Sequence, residues 1–413
     1  MAAHTHGGDA ELSVPERTRW ILYGTAAALL LLTILGMVVL RPTGENRPDL
    51  EAVGFGAEFY DATVVSLEEA PCPGSAGDPL ADPGLDDPAV DDPAFDDGAG
   101  DADDIRCADA TFRLLAGPDE GEEVEQQLFD LDAAPPLSVG TKVVMRYDPR
   151  AAEGFEYQFG GEIQRKPVLF WLAVLFAVVV VALGRMRGVA ALAGLVGTLV
   201  VLLVFILPSI IDGHSPLLVA VVGGSAIVFL ALYLAHGFSP MTTVALLGTL
   251  SALVVTAVLG IVFVELASFS GISNEEAFYL NVGGGSIDLR GLVLAGVIIG
   301  ALGAIDDMTV TQASAVWELH AVNPELGRMG LYRSAMTIGR DHVASTVNTL
   351  VLAYAGASLP LLILFVLSTQ SLGTVANSEI VATEIVRTLV GSIGLVAAVP
   401  ITTWLAAVVA PNR

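Results

Sequence analysis

Long apolar runs constrain the fold of this chain more than any other feature of its sequence. One run covers residues 20–40, and seven more follow after residue 166. We place those seven at residues 168–184, 189–210, 217–235, 241–266, 289–316, 343–367 and 386–409. A helix needs about 20 predominantly apolar residues to cross the ~30 Å hydrocarbon core of a bilayer. The pattern therefore predicts a mainly α-helical polytopic membrane protein with about eight transmembrane helices, surrounded by lipid.

The composition supports a membrane protein and locates much of the acidic charge. Charged residues make up only 15% of the 413-residue chain, compared with about 25% in typical soluble proteins. The net charge of −26 owes much to the segment 78–104, which holds 11 aspartates and several prolines. We interpret that segment as a disordered loop. We expect neither a nucleic-acid partner nor a cofactor.

Arginines beside the apolar runs predict the orientation of the chain. Arg17 and Arg19 precede the first run, and positive charge near a membrane helix favours the cytoplasmic side. Both termini are then cytoplasmic, and the chain lies in the plasma membrane. The predicted segments are a disordered N-terminus (1–19), a first transmembrane helix (20–40), an extracytoplasmic domain (41–166) and a seven-helix transmembrane domain (167–410).

The extracytoplasmic segment alternates short β-type runs with turn residues. The runs are residues 58–67, 108–115, 123–129, 141–147 and 155–159. Five short strands separated by glycine turns are typical of a small β-barrel of the OB or SH3 kind. Cys72 and Cys107 are the two cysteines of the chain, both lie in this segment, and they flank the acidic loop. We therefore predict a disulfide between them.

Two adjacent carboxylates, Asp306 and Asp307, lie within the sixth apolar run. An ionised aspartate at the centre of a membrane helix costs about 2.5–3.5 kcal/mol on insertion scales. Because the two carboxylates also repel each other, we expect the pair to hold at least one proton or to bind a cation. An alternative is that the helix ends near Ile305 and that the pair flanks the membrane interface. The helical repeat places further polar residues beside the pair, namely Thr309, Thr311, Ser314 and Glu318.

Polar residues also open the seventh run and the eighth. If the sixth and seventh runs form an antiparallel hairpin, we expect the polar residues of the seventh run to approach the carboxylates from the cytoplasmic side. These residues are Asp341, His342, Ser345, Asn348 and Thr349. His342 could titrate near neutral pH, or it could be an interfacial residue without a role. Glu384 and Arg387 are spaced i, i+3 at the outer end of the eighth run. They form either a surface ion pair or part of a gate.

Three segments carry a resemblance to a known family. They read GALGAIDDMTVTQASAVWELHAVNP, IGRDHVASTVNTLVLAYAGASLPLL and EIVRTLVGSIGLVAAVPITT. The chain resembles the YibE/F family of bacterial multi-pass membrane proteins over residues 55–410, which implies a polytopic architecture and a presumed transport role. The layout is also similar to one half of an RND transporter or of the SecD/SecF subunits, with the second and third runs as an added hairpin.

Two classes of function follow. One is a transport or export-related protein that is coupled to protons or cations through Asp306 and Asp307. The other is a scaffold or assembly factor whose extracytoplasmic β domain binds a partner. We expect no enzyme and no metal site, since no nucleophile–base pair or metal-ligand motif lies within the runs. The solute, the direction of transport and the existence of a homo-oligomer are left open.

Overall fold

The computed structural model describes residues 14–44, 57–72, 106–131, 135–152, 154–273, 275–282, 287–368 and 370–410. The chain divides into two compact units, one of residues 50–176 and one of residues 1–49 with 177–413. The acidic loop expected at 78–104 lies outside the described residues, as does most of the expected N-terminal segment 1–19.

The first unit contains one five-stranded antiparallel sheet with the order β3-β2-β1-β4-β5. Its strands are β1 (Glu58–Ala70), β2 (Cys107–Leu114), β3 (Glu123–Leu128), β4 (Lys142–Tyr147) and β5 (Tyr157–Ile163). Alternate residues of β2 and β4 face inward, so that Phe112, Leu114 and Met145 are fully buried. The edge strands approach each other where the Phe159 amide donates to the Gln126 side chain at 2.7 Å. A small curled sheet of five strands is confirmed, while its closure into an OB or SH3 barrel stays a prediction.

The predicted disulfide is confirmed. Cys72 and Cys107 are bonded, with their Cα atoms 5.2 Å apart and a sequence separation of 35. Cys107 opens β2, and its register partner on β1 is Ala70. The bond therefore ties the end of β1 to the start of β2 at the point where the chain leaves for the acidic loop.

Removing this bond is expected to destabilise the β unit. For a loop of this length, the chain-entropy account gives a loss of about 3–4 kcal/mol in the free energy of unfolding for Cys72→Ser. Thermal unfolding of the full chain in detergent, followed by near-ultraviolet circular dichroism, measures the change. Reductant should shift the wild type by the same amount and leave the variant unmoved. Equal stability of variant and wild type would contradict the prediction.

Tyr157 gives the β unit a dependence on alkaline pH. Its side chain is only 6% exposed, and its hydroxyl donates to Asp119 Oδ2 at 3.0 Å. Burial, and then the hydrogen bond to the Asp119 carboxylate, raises the pKa of Tyr157 to about 12. The ordinary value is 10.0, so the folded unit holds this proton more tightly than the unfolded chain does.

We therefore expect the stabilising effect of this proton to be complete below the unfolded pKa of 10.0 and to be lost as the pH rises toward about 12. Tyr157→Phe has no phenolic proton to lose. Its thermal midpoint should consequently fall less steeply than that of the wild type over this interval. The measurement is the unfolding midpoint of both proteins at a series of alkaline pH values. Parallel curves would show that Tyr157 does not carry the effect.

The second unit is helical. Its helices, with the long helix that leads from the sheet into it, are α1 (Glu16–Val39), α2 (Lys166–Val200), α3 (Pro216–His236), α4 (Pro240–Leu266), α5 (Glu275–Val282), α6 (Leu289–Val322), α7 (Arg328–Ala357), α8 (Leu359–Leu367), α9 (Leu372–Asn377) and α10 (Glu379–Val409). A π-helical turn, Val201–Ile206, and a short helix, Leu207–Ile211, extend α2. The prediction of a mainly helical chain with several apolar helices is confirmed.

Six of the described helices are long and apolar enough to cross a membrane, and a seventh span results if α7 and α8 are counted together. Two of the predicted spans, 168–184 and 189–210, fall in one helical stretch, Lys166–Ile211, of 46 residues. At about 1.5 Å per residue this stretch is roughly twice the thickness of the hydrocarbon core. Arg185 interrupts it with a φ of 50° and a ψ of −128°. The count of eight spans therefore stays a prediction.

Three helices, α4, α6 and α10, form the centre of this unit. Where α4 crosses α10, a glycine on one helix meets a threonine on the other: Gly248 lies against Thr402, and Gly394 lies against Thr256. These pairs show that the two helices are antiparallel. Small residues at such crossings let backbones approach closely, which is the main source of helix association within a bilayer.

The described ends of the chain lie at one end of the bundle. Val14 and Val409 belong to the same hydrophobic cluster as Val316 of α6 and Ala335 of α7. We call this the terminal end. At the opposite end, which we call the far end, the Asp212 carboxylate between α2 and α3 accepts a hydrogen bond from the Gly44 amide at 2.8 Å. The two described ends of the chain, near Val14 and Val409, therefore lie at the same end of the bundle.

Candidate functional site

The two central carboxylates lie in the middle of an unbroken helix. α6 runs over 34 residues, Leu289–Val322, and its helical conformation continues well past Asp306 and Asp307. Ile305 and Met308 on either side of the pair are fully buried. The alternative in which the helix ends near Ile305 is therefore wrong.

Asp306 and Asp307 have different environments because adjacent residues of a helix point about 100° apart. Asp306 is half-buried, and its Oδ1 atom is enclosed without a hydrogen-bond partner among the described residues. The side chain of Asp307 is 71% exposed, and its Oδ2 lies 4.0 Å from His342 Nε2 on α7. One carboxylate thus faces the helix interfaces, and the other lies at the surface of the chain beside a histidine.

One further titratable group acts on this position. His236 at the end of α3 interacts electrostatically with Asp307 and also with Arg187 of α2. His236 and His342 therefore bring protonatable groups from two helices toward the exposed carboxylate. The sequence did not indicate His236, because no helical repeat relates α3 to α6.

The other polar residues of α6 divide between packing and exposure. Thr309 is buried; its hydroxyl donates to the Asp306 carbonyl at 2.9 Å and lies 2.6 Å from the Thr249 hydroxyl of α4. Thr311 and Ser314 are half-buried, and Glu318 is exposed. Thr309 therefore joins α6 to α4. The carboxylates in the middle of α6 are those of Asp306 and Asp307.

The expected approach of α7 to the carboxylates holds for His342. α7 packs through the face that carries Leu331, Ala335, Gly339 and Leu350, and His342 lies at the edge of that face. The other four predicted residues are exposed, namely Asp341, Ser345, Asn348 and Thr349. Their expected position at the carboxylates stays a prediction, since Asp307 is exposed as well.

A buried amide in this region was missed. Gln312 of α6 is completely buried, and its Nε2 donates to the Ala335 carbonyl of α7 at 2.8 Å. The absence of a side chain at Gly339 leaves the space that the amide occupies. A glutamine in an apolar run is a usable signal, since such a residue needs a partner away from lipid.

Glu384 and Arg387 form the predicted ion pair near the far end. Arg387 Nη1 lies 2.6 Å from Glu384 Oε1, and the two side chains are only 27% and 28% exposed. Arg387 lies against Gly296 of α6, where a Cβ would come within 3.5 Å of Nη2. The pair is therefore packed between helices and is not a surface ion pair.

A protein-family model described as YibE/F-like protein matches residues 172–412, which is more than half of the chain. The chain belongs to the YibE/F family. No curated protein and no solved structure matches it. The resemblance expected over residues 55–410 is thus confirmed from residue 172 onward. In this YibE/F-like protein, the matched residues include all of α6, α7 and α10 and therefore the whole of the site.

Proposed function

We propose that this YibE/F-like membrane protein is a transport or export-related protein, coupled to protons or cations that are exchanged at Asp306 and Asp307. The observation that carries the proposal is the half-buried Asp306 carboxylate in the middle of α6, whose Oδ1 has no partner among the described residues. Ionisable residues at such positions in membrane helices are costly and mark proton or ion pathways.

Charge supports an exchangeable occupant. Two ionised carboxylates about 4 Å apart repel by several kcal/mol at an effective dielectric constant near 20. α6 carries no lysine or arginine after Arg290 that could neutralise them. His342 Nε2 lies 4.0 Å from Asp307 Oδ2, and no ion pair joins it to Asp306. A proton or a cation shared by the pair lowers the repulsion without a fixed counter-ion.

The different exposure of the two carboxylates gives each a role. Asp307, with His342 beside it, exchanges the proton or cation with the medium. Asp306 receives it between the helices, where the change of charge alters the packing of α6 against its neighbours. A change of packing driven by occupancy is the minimum that coupled transport requires.

The same proposal includes the finer architecture. We place eight spans in the bacterial plasma membrane, both termini in the cytoplasm, and residues 41–166 outside as a closed barrel. The layout is then similar to half of an RND or SecF-type transporter. Lipid and an unidentified solute are the partners, without nucleic acid or catalysis. The exposed polar face of α7 leaves room for a second copy in a homo-oligomer.

One observation favours a second candidate, a membrane scaffold whose β unit binds a partner. Polar side chains line a depression on one face of the sheet and include three carboxylates: Ser66, Glu68, Asp109, Thr111, Glu125 and Gln127. Glu68 and Asp109 are directly opposite in the register of β1 and β2. Like charges at opposed positions destabilise a sheet, so a basic partner at this face would offset the repulsion.

A flux measurement in proteoliposomes tests the proposal. An imposed pH or sodium gradient should dissipate faster with the wild type than in empty liposomes, and Asp306→Asn with Asp307→Asn should remove the difference. Asp341→Asn is the matched control, since it removes an exposed carboxylate from the neighbouring helix α7. Equal flux in the double variant and the wild type would favour the scaffold.

A further inference from the structure

We infer that a polar access path leads from the Glu384–Arg387 pair to the Asp306–Asp307 pair along α6, α7 and α10, with the Tyr354 hydroxyl at its narrowest point. The path would carry water together with the proton or monovalent cation that the carboxylates exchange. The inference rests on the proposed function and specifies from which end of the bundle the carboxylates are reached.

The path is marked by contacts along one stripe of α6. Arg387 lies against Gly296, and the Tyr354 hydroxyl lies against Gly300, where a Cβ would collide with it. One turn further, a Cβ on Gly303 would meet nothing within 4 Å. Asp307 follows four residues later, so these positions share one face of the helix at spacings of four, three and four. Gly303 is exposed, so the stretch between the tyrosine and the carboxylates is a groove that is open to the surface of the chain.

Polar atoms without partners point to water along this route. Arg387 Nε, the Tyr354 hydroxyl and Asp306 Oδ1 are each enclosed and have no hydrogen-bond partner among the described residues. Thr383, one turn before Arg387 on α10, is 1% exposed, and its hydroxyl also has no hydrogen-bond partner among the described residues. A buried polar group without a hydrogen bond destabilises the fold, and one water can satisfy two or more such groups. Several such polar groups along the same three helices are best satisfied by a chain of water molecules.

Tyr354 is placed to control this route. Glu384 and Arg387 both act electrostatically on its hydroxyl, and a hydroxyl can donate and accept at once. Tyr354 lies in the last turn of α7, just before the 67° bend between α7 and α8. A change in that bend would move the ring away from Gly300 and widen the path.

Thiol labelling tests the path in the full-length protein. Both native cysteines are bonded to each other, so an introduced cysteine is the single free thiol. Gly303→Cys places it in the open space, and Val254→Cys on α4 is the control. Leu253 and Leu302 both contact Gly224, which puts the two variants at the same depth, while Val254 is 57% exposed on the outer surface. The probe is a cationic, membrane-impermeant methanethiosulfonate, added to right-side-out or inverted vesicles.

We expect Gly303→Cys to react about tenfold faster than Val254→Cys, because a thiol in hydrocarbon does not ionise to the reactive thiolate. The reaction should occur from the far end, the side from which Leu372→Cys, an 85% exposed position before α10, is labelled. Adding Tyr354→Ala should accelerate it further. Tyr354→Cys provides a second reporter if Gly303→Cys does not fold.

Equal rates at the two positions, or labelling of Gly303→Cys from the terminal end alone, would overturn the path. Labelling needs no flux, so its failure leaves the carboxylate site standing. Conversely, a protein that shows fast labelling from the far end but no flux would retain the path and lose the proposed function.

Discussion

Asp306→Asn alone is expected to abolish coupled flux, whereas Asp307→Asn should retain part of it. Asp306 is half-buried with an enclosed Oδ1, so its replacement removes a charge that can change between the helices. Asp307 is 71% exposed beside His342, and the histidine can still exchange a proton when this carboxylate is lost. We expect roughly a tenfold loss for Asp307→Asn, which corresponds to about 1.4 kcal/mol of barrier.

The flux assay can be paired with a conformational one. Trp317 lies on α6 three turns after the carboxylates and is half-buried. In a background in which the other tryptophans, Trp20, Trp171 and Trp404, are replaced by Phe, its fluorescence reports on the packing of this helix. The wild type should show a fluorescence change with pH that Asp306→Asn lacks and that Asp307→Asn keeps in altered form. Asp341→Asn should behave as the wild type. If Asp307→Asn had the larger effect in both assays, the assignment of roles to the two carboxylates would be reversed.

Valine at the glycines of the α4–α10 crossing is expected to unfold or severely loosen the membrane unit. A Cβ on Gly248 would collide with the Thr402 hydroxyl, and it would also lie 3.0 Å from Thr402 Cβ, which rotation of the threonine cannot move. On Gly394 it would collide with the Thr256 hydroxyl and lie 3.2 Å from Thr256 Cβ. Overpacking costs about 1–3 kcal/mol per site, and valine adds two more methyl groups at each.

Gly24→Val is the matched control for both, since a Cβ at Gly24 would meet nothing within 4 Å. Thermal unfolding in detergent should show a midpoint lowered by several degrees for Gly248→Val and for Gly394→Val, and a midpoint near that of the wild type for Gly24→Val. The double variant should be recovered poorly as a monodisperse species on size exclusion. A midpoint unchanged at both glycines would mean that the helices do not cross at these positions.

Much of the fold could be predicted because each prediction rested on local properties. The apolar runs identified nearly every long helix, since hydrophobic length alone decides whether a segment can cross a bilayer. The five β-type runs correspond to the five strands, and the two cysteines in one segment allowed a single pairing within the chain. The count of spans did not follow in the same way, because the stretch from Lys166 to Ile211 consists of helices that meet at a kink at Arg185 and can be counted as one span or as two.

The candidate site was predictable in its centre and not in its surroundings. Asp306 and Asp307 were evident because charge within an apolar helix is rare and costly. The face of α7 that packs against its neighbours could not be predicted. Small residues such as Ala335 and Gly339 lie on that face, and they carry no chemical signal in the sequence. Gln312, Tyr354 and His236 reach the same region from three different helices, and their proximity depends on packing between segments distant in sequence.

The sequence by itself determined the membrane character of this protein, its helices and strands, its disulfide and the position of the two carboxylates. These follow from the local free energy of placing apolar, polar and charged groups in lipid or water. Only the tertiary structure decided that one carboxylate is enclosed and the other exposed beside His342. It also decided that the Glu384–Arg387 pair is packed against Gly296, with the Tyr354 hydroxyl one turn further along α6 at Gly300. Those outcomes depend on which small residues let helices approach, and close packing is a property of helix pairs that no single segment contains.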